Sequence, residues 1–407
     1  MVTTLLLHNA TLFTPREQFA HAWLLIRERR IEALGQGSPP EGHTPQPTHR
    51  IDCTGLIVAP GFVDLHTHGA GGADVMDAAT DPQALRTIAR THAAGGTTTW
   101  FGTTVAAPLD ETARVIEAAL PFVDAPLDGA TLAGLHLEGP FLAASQCGAH
   151  RPEHLRAPRA EDYTPLLELL DTRGRHRLTA APEIPGSLDL GREARARGVH
   201  VAIGHSDADL DTVRRAVVAG YSHVTHLYSC TSGLRVERGY KSPGINEAAL
   251  LMDDLTVELI ADGHHVPAAL IQLVHKVKGP GLVCLVTDSM RATGLGEGTY
   301  KLGEWDVLVE DGVAKLPDRS KFAGSVCTMA QAVRAAAAAG LPLADVLRMA
   351  SVTPATLAGL TRKGTLALGQ DADLTVLDQH LDVTHTIVNG RVVYERGRPV
   401  GAPAPGT

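Results

Sequence analysis

Aromatic residues make up only 4% of this 407-residue chain, and no apolar run is long enough to cross a bilayer. The five cysteines (Cys53, Cys147, Cys230, Cys284 and Cys327) are scattered, and no CxxC pair occurs. That excludes a disulfide framework and a zinc knuckle. Positive charge is not in excess: 36 Lys and Arg stand against 45 Asp and Glu, a formal charge of −9. A nucleic-acid surface and a membrane-binding stripe are therefore not expected. The first residues lack a basic region followed by a long apolar run and a small-residue cleavage site, so no signal peptide is expected. These absences point to a soluble protein of a reducing compartment, the cytoplasm.

What the chain does have is length and histidine. Twenty histidines are many for a chain so poor in aromatics, and they lean toward metal or acid–base chemistry. The length accommodates a barrel of roughly 250 residues plus a smaller module. Residues 1–58 read as short strands at 4–7, 22–26 and 30–34, with a Pro- and Gly-rich loop over 35–49 and no helix. From Gly61 the pattern becomes strands alternating with helices, which implies a parallel sheet. Strands are expected at 62–65, 97–101, 131–137, 178–181, 199–203, 223–227, 255–261 and 281–287. Helical patterns lie between most of them, for example over 82–93, 109–121, 207–219 and 266–277. The economical fold class is α/β, a (β/α)8 barrel over 59–362. After the eighth strand, short strands are expected at 305–309 and 313–315 and helices at 328–339, 343–349 and 353–360. The tail returns to strands, at 364–366, 372–377, 384–388 and 391–394. Segments 1–58 and 363–407 are expected to pair into one small β-sandwich beside the barrel.

The ends of the barrel strands carry metal-capable residues. His66 and His68 are two apart on a strand and so point to one side. The third strand ends on Glu138, the fifth on His205, the sixth on His226, the seventh on Asp262 and His265, the eighth on Asp288. In such barrels the active site lies at these C-terminal strand ends. His205 and His226 are 21 residues apart, one strand–helix unit, which puts them on adjacent strands. With Glu138 they make a three-ligand site with room for water, the arrangement of a catalytic metal. His66 and His68 can serve a second ion, bridged to the first by Glu138 or a hydroxide. Neutral imidazole suits zinc or iron, so the cofactor expected is a divalent metal, one or two ions. Asp288 is placed to take a proton from water and return it to a leaving group. His150 and His265 remain to polarise a carbonyl or bind substrate. Hydrolysis of an amide-like bond uses all these parts.

These residues, with β-rich ends, resemble the amidohydrolase superfamily. Leu137-Glu138-Gly139-Pro140-Phe141, Gly148-Ala149-His150, Gly204-His205-Ser206, Thr225-His226-Leu227-Tyr228, Ala261-Asp262-Gly263-His264-His265, Thr287-Asp288-Ser289 and Ala323-Gly324-Ser325 together resemble the N-acetylglucosamine-6-phosphate deacetylase family. The resemblance spans nearly the whole chain in order. Members with a carboxylated lysine after strand four match less well, since here that strand ends in Ala181-Pro182-Glu183. The resemblance implies Glu138, His205 and His226 as catalytic-metal ligands and Asp288 as general base and acid. It also implies His150 on the acetamide carbonyl, His265 on an amino-sugar phosphate, and a homodimer. Some members lack the first-strand histidines and use one metal; this chain keeps both. It departs after Tyr228, where the deacetylases continue Asn-Ala-Met and an arginine reaches phosphate, often in the neighbouring subunit. Here Ser229 and Cys230 stand first, as substrate-binding candidates, followed by Arg235, Arg238 and Lys241. Arg238 is the first choice for phosphate, with Arg235 and Lys241 as rivals. Two other readings stay open: another N-acyl amino sugar or N-acyl amino acid as substrate, and a non-catalytic scaffold.

Overall fold

A computed structural model describes residues 4–14, 17–39, 47–170 and 174–398; expectations touching 1–3, 40–46 and 399–407 lie outside them. Eight parallel strands follow in chain order: Phe62–Thr67, Thr97–Thr104, Thr131–Glu138, Arg177–Ala180, His200–Ile203, Tyr221–Val224, Thr256–Ile260 and Val283–Val286. All eight are those expected from the sequence. Their residues are almost uniformly buried, because helices cover the outer face and side chains fill the inside. This is why the strands read as apolar runs rather than as alternation. Crossover helices include Ala84–Ala94, Leu109–Ala119, Leu210–Val218 and Ala268–Lys278. Leu210–Val218 starts where the Asp209 carboxylate accepts the Thr212 N–H at 2.8 Å, a side-chain cap on an open helix end. Met329–Ala338 starts at a capping box between Thr328 and Gln331. Its inner face is small, with Ala332 and Ala336 buried.

The barrel closes between its eighth and first strands. The Asp288 N–H donates to the His66 carbonyl at 3.0 Å, and Thr67 and Ser289 form a parallel bridge. The seam thus passes through the residues singled out as metal-capable. Among the described residues, both chain ends join one hydrogen-bonded sheet, where Ile57–Pro60 pairs with Thr4–Phe13 on one side and Leu374–Leu377 on the other. The sheet folds back so that Ile26 and Ile31 share one buried cluster with Leu374, Val376 and Ile387. That common core holds the strand-rich terminal domain together.

Two local expectations need correction, and one further element was not expected. Residues 364–366 form no strand; Leu366 nonetheless buries in the terminal core. The expected strands after the eighth gain a third, Gly298–Leu302, so that they form a three-stranded antiparallel sheet. The charged loop after His226 is a β-hairpin, Arg235–Glu237 against Tyr240–Ser242. Its turn is Arg238-Gly239, both in the left-handed region, the backbone of a tight hairpin.

Candidate active site

Glu138, His205 and His226 converge at the mouth of the barrel. Glu138 Oε1 lies 3.1 Å from His205 Nε2 and 2.9 Å from His226 Nε2, and the two ring nitrogens are 3.1 Å apart. The other oxygen, Oε2, faces His66 Nε2 at 3.4 Å and His68 Nε2 at 3.2 Å. Asp288 Oδ1 stands 3.4 and 3.2 Å from the same two nitrogens. Two donor trios therefore meet across one carboxylate: Glu138/His205/His226 and His66/His68/Asp288. Asp288 enters as a member of the second trio, not only as the proton carrier read from the sequence. His205, His226 and Asp288 all leave their strands with positive φ, a backbone cost that turns the side chains inward.

The ring orientations are set from behind. His205 Nδ1 donates to the Gln146 carbonyl at 2.8 Å, and His68 Nδ1 donates to the Thr103 carbonyl at 3.2 Å. His66 Nδ1 faces Glu258 Oε2 at 3.2 Å. In each case the proton belongs on Nδ1, which leaves an Nε2 lone pair aimed at the trio, the usual support of a metal-bound imidazole. His150 is the reverse. Its Nδ1 accepts the Ala106 N–H at 3.1 Å, so the proton sits on Nε2, 3.3 Å from Glu138 Oε2. Burial, reinforced by the charge of His205, lowers the His150 pKa to about 4, so it is a neutral donor at pH 7.

The electrostatics of the donors ask for a cation. Burial opposes charge on Glu138, but His66 and His205 outweigh it and hold the carboxyl well below its ordinary range. Burial likewise opposes protonation of His68, yet Asp288 and Glu138 push it up to about 9. Carboxylates packed this closely against ring nitrogens call for positive charge between them, carried by protons on the histidines or, once those protons are displaced, by divalent ions. The residues present fit the metal.

His68, Glu138, His205, His226 and Asp288 floor a cavity of about 260 Å³ lined also by His150, Ser229, Cys230, His265 and Lys321. His265 is fixed by Asp262, whose Oδ2 lies 2.7 Å from its Nδ1. Ser229, Cys230 and His265, the substrate-binding candidates of the sequence, thus line this cavity. Arg235 and Arg238 are not among the lining residues. Arg235 donates instead to Asp207, and Arg238 sits on the exposed hairpin turn. Lys321 and Phe322 were missed; they lie just before Ala323-Gly324-Ser325, and no strand end marks them. Glu183, beside the fourth strand, braces the segment after His205 by accepting from Ser206 Oγ and the Asp207 N–H, each at 2.6 Å.

Comparison with known proteins places this architecture. The profile of the Amidohydrolase family matches residues 57–393. The chain is 35% identical over 338 residues to N-acetylglucosamine-6-phosphate deacetylase of Vibrio furnissii, covering 83% of this chain and 82% of that one. It is 36% identical over 357 residues to the Homo sapiens enzyme of the same name, covering 85% of each. Among solved structures, a Mycobacterium smegmatis N-acetyl-D-glucosamine-6-phosphate deacetylase variant, in complex with N-acetyl-D-glucosamine-6-phosphate, superposes with a TM-score of 0.86. That match has 35% identity and covers 96% of this chain and 99% of that one. A β-aspartyl dipeptidase of Fervidobacterium islandicum shares the fold at 17% identity, TM-score 0.62, over the full length of both chains. The chain belongs to the amidohydrolase family and, within it, to the N-acetylglucosamine-6-phosphate deacetylases.

Proposed function

We infer that this protein hydrolyses the acetamide of N-acetylglucosamine 6-phosphate to glucosamine 6-phosphate and acetate. The observation that carries the reading is two metal-donor trios that meet across the Glu138 carboxylate at one cavity, while the Nε2–H of His150 points to the same carboxylate. Glu138, His205 and His226 hold the catalytic ion, and His66, His68 and Asp288 a second. All-imidazole and carboxylate donors favour zinc, with iron the alternative. A bound divalent ion supplies Lewis acidity to water and to the scissile carbonyl. Asp288 takes the proton of the attacking water and delivers it to the departing amine. His150, neutral and protonated on Nε2, donates to the oxygen that gains charge as the tetrahedral centre forms.

The phosphate needs positive partners before it can enter a closed site. His265 and Lys321 stand at the cavity in this chain. Arg238 serves from a second copy. Its hairpin projects with Val236 62% and Tyr240 83% exposed, apolar surface suited to a homodimer contact. All five cysteines are free, and no helix among the described residues is long and apolar enough to cross a membrane; both support the cytoplasm as its place. A panel of N-acetyl sugars with and without 6-phosphate, assayed for free amine beside elemental analysis, tests the reading. We expect turnover to need bound metal and to favour the phosphorylated sugar. Equal rates on both sugars would overturn the substrate.

A further inference from the structure

Beneath the metal donors the barrel interior is polar. Such interiors are ordinarily filled by layers of branched apolar side chains. Here Glu258, in the middle of the seventh strand, is wholly buried, and so is Arg177 at the start of the fourth. Arg177 Nη2 donates to Glu258 Oε1 at 2.7 Å, and its Nη1 donates to the Leu65 carbonyl at 2.8 Å. His223 Nε2 lies 3.0 Å from the same Oε1. The second carboxylate oxygen takes two contacts of a different kind: His66 Nδ1 at 3.2 Å and the backbone N–H of His226 at 3.2 Å. One oxygen is held by the core, and the other is spent on a ligand from each trio.

A buried ion pair of this sort is seldom a gain in stability over apolar residues of similar volume. Its geometry suggests another use. A carboxylate gripped by arginine is an acceptor only, so His66 has to carry its proton on Nδ1 and present a bare Nε2. The backbone carbonyls behind His205 and His68 do the same for those rings. For His66 the anchor is a charged side chain, and it depends on Arg177 to stay ionised in the core.

We propose that Glu258, held by Arg177, is the positioning residue of the second metal site, fixing the tautomer and direction of His66 so that an ion can bind with His68 and Asp288. The proposal rests on the metal reading above and concerns binding of the ion, not turnover. The effect on His226 is smaller, because the contact there is to backbone that the sixth strand also holds.

The test is titration of the full-length, chelator-stripped protein with zinc(II) alone, in competition with a chromogenic chelator, without substrate. His68→Asn identifies the step belonging to the second trio. Glu258→Gln replaces an acceptor-only group by an amide that cannot satisfy Arg177, His223, His66 and His226 at once. Because a stranded arginine can prevent folding, the double variant Arg177→Met/Glu258→Leu is measured beside it; it removes both charges and leaves His66 with no acceptor. Loss of an outer contact of this kind typically costs 10–100-fold in metal affinity. In whichever variant folds, we expect that loss in the second step, with the first changed by less than about threefold. The proposal is overturned if both steps weaken together, if neither does, or if the wild type takes up a single ion. Since no substrate is present, a failure to deacetylate leaves this result standing, and loss of the proposal leaves the deacetylase reading intact.

Discussion

The two donor trios meet across Glu138 yet are built from different parts of the barrel. Glu138, His205 and His226 come from the third, fifth and sixth strands, and the one ring brace among them with a hydrogen bond is a loop carbonyl, that of Gln146. His66, His68 and Asp288 come from the first and eighth strands, where the barrel closes, and His66 leans on the buried pair of Glu258 and Arg177. The first trio is thus assembled at the rim. The second is tied to the seam and to the charged core. A perturbation of the core should reach the second trio before the first, and variants at each trio should separate what a single activity number confounds.

The largest effect is expected at the first trio. His205→Asn removes a ligand and one partner of Glu138 together, and we expect tight metal and turnover to disappear. Persistence of both, by elemental analysis and amine release, would mean the catalytic ion sits elsewhere. Next comes Asp288→Asn, which cannot accept a proton at neutral pH; kcat is expected to fall by about 10²–10⁴-fold. Because Asp288 Oδ1 also stands 3.2 Å from His68 Nε2, the second ion should weaken while the first remains. Intact uptake of both ions with unchanged kcat would remove Asp288 from both roles.

Smaller effects are expected away from the trios. Arg238→Ala and Lys321→Ala should each raise KM for the phosphorylated sugar, by roughly ten- to a hundredfold for a lost charged hydrogen bond. The unphosphorylated sugar should respond little. If neither variant changes the ratio of the two sugars, phosphate is read by other residues. The smallest effect concerns stability. Burial lowers the His92 pKa to about 4, so this ring resists protonation only when folded. Between pH 6.5 and 4 the unfolded chain binds the extra proton, and stability falls as pH drops through that window. His92→Asn should flatten that part of a denaturant midpoint profile by about 1.4 kcal/mol per pH unit at most. An unchanged slope would show that His92 does not titrate on unfolding.

Much of this molecule is legible in its sequence because the barrel puts chemistry at strand ends. Six of the eight apolar runs stop on a metal-capable residue, so His66, His68, Glu138, His205, His226 and Asp288 can be read one after another as candidates. What escapes is chemistry inside a strand. Glu258 sits within a run that reads as buried β and Arg177 just before one, and their meeting across the barrel interior depends on closure, which no spacing reveals. The hairpin over Arg235–Glu237 and Tyr240–Ser242 escaped for a local reason. Its left-handed turn is Arg-Gly rather than the Asn-Gly or Asp-Gly that announces such turns. The dual position of Asp288 escaped because a base and a ligand are the same residue type at the same place. Only the 3.2 and 3.4 Å approaches to His68 and His66 distinguish them.

The central claim is that catalysis runs on an ion held by Glu138, His205 and His226. Its most direct test is to strip the protein with chelator and return zinc(II) in sub-stoichiometric steps. Free amine from N-acetylglucosamine 6-phosphate and bound ion are followed together. The account predicts no turnover in the stripped protein and recovery that tracks filling of the first, tighter site, abolished in His205→Asn. Full turnover with no ion bound, or recovery that ignores the loss of His205, would contradict it.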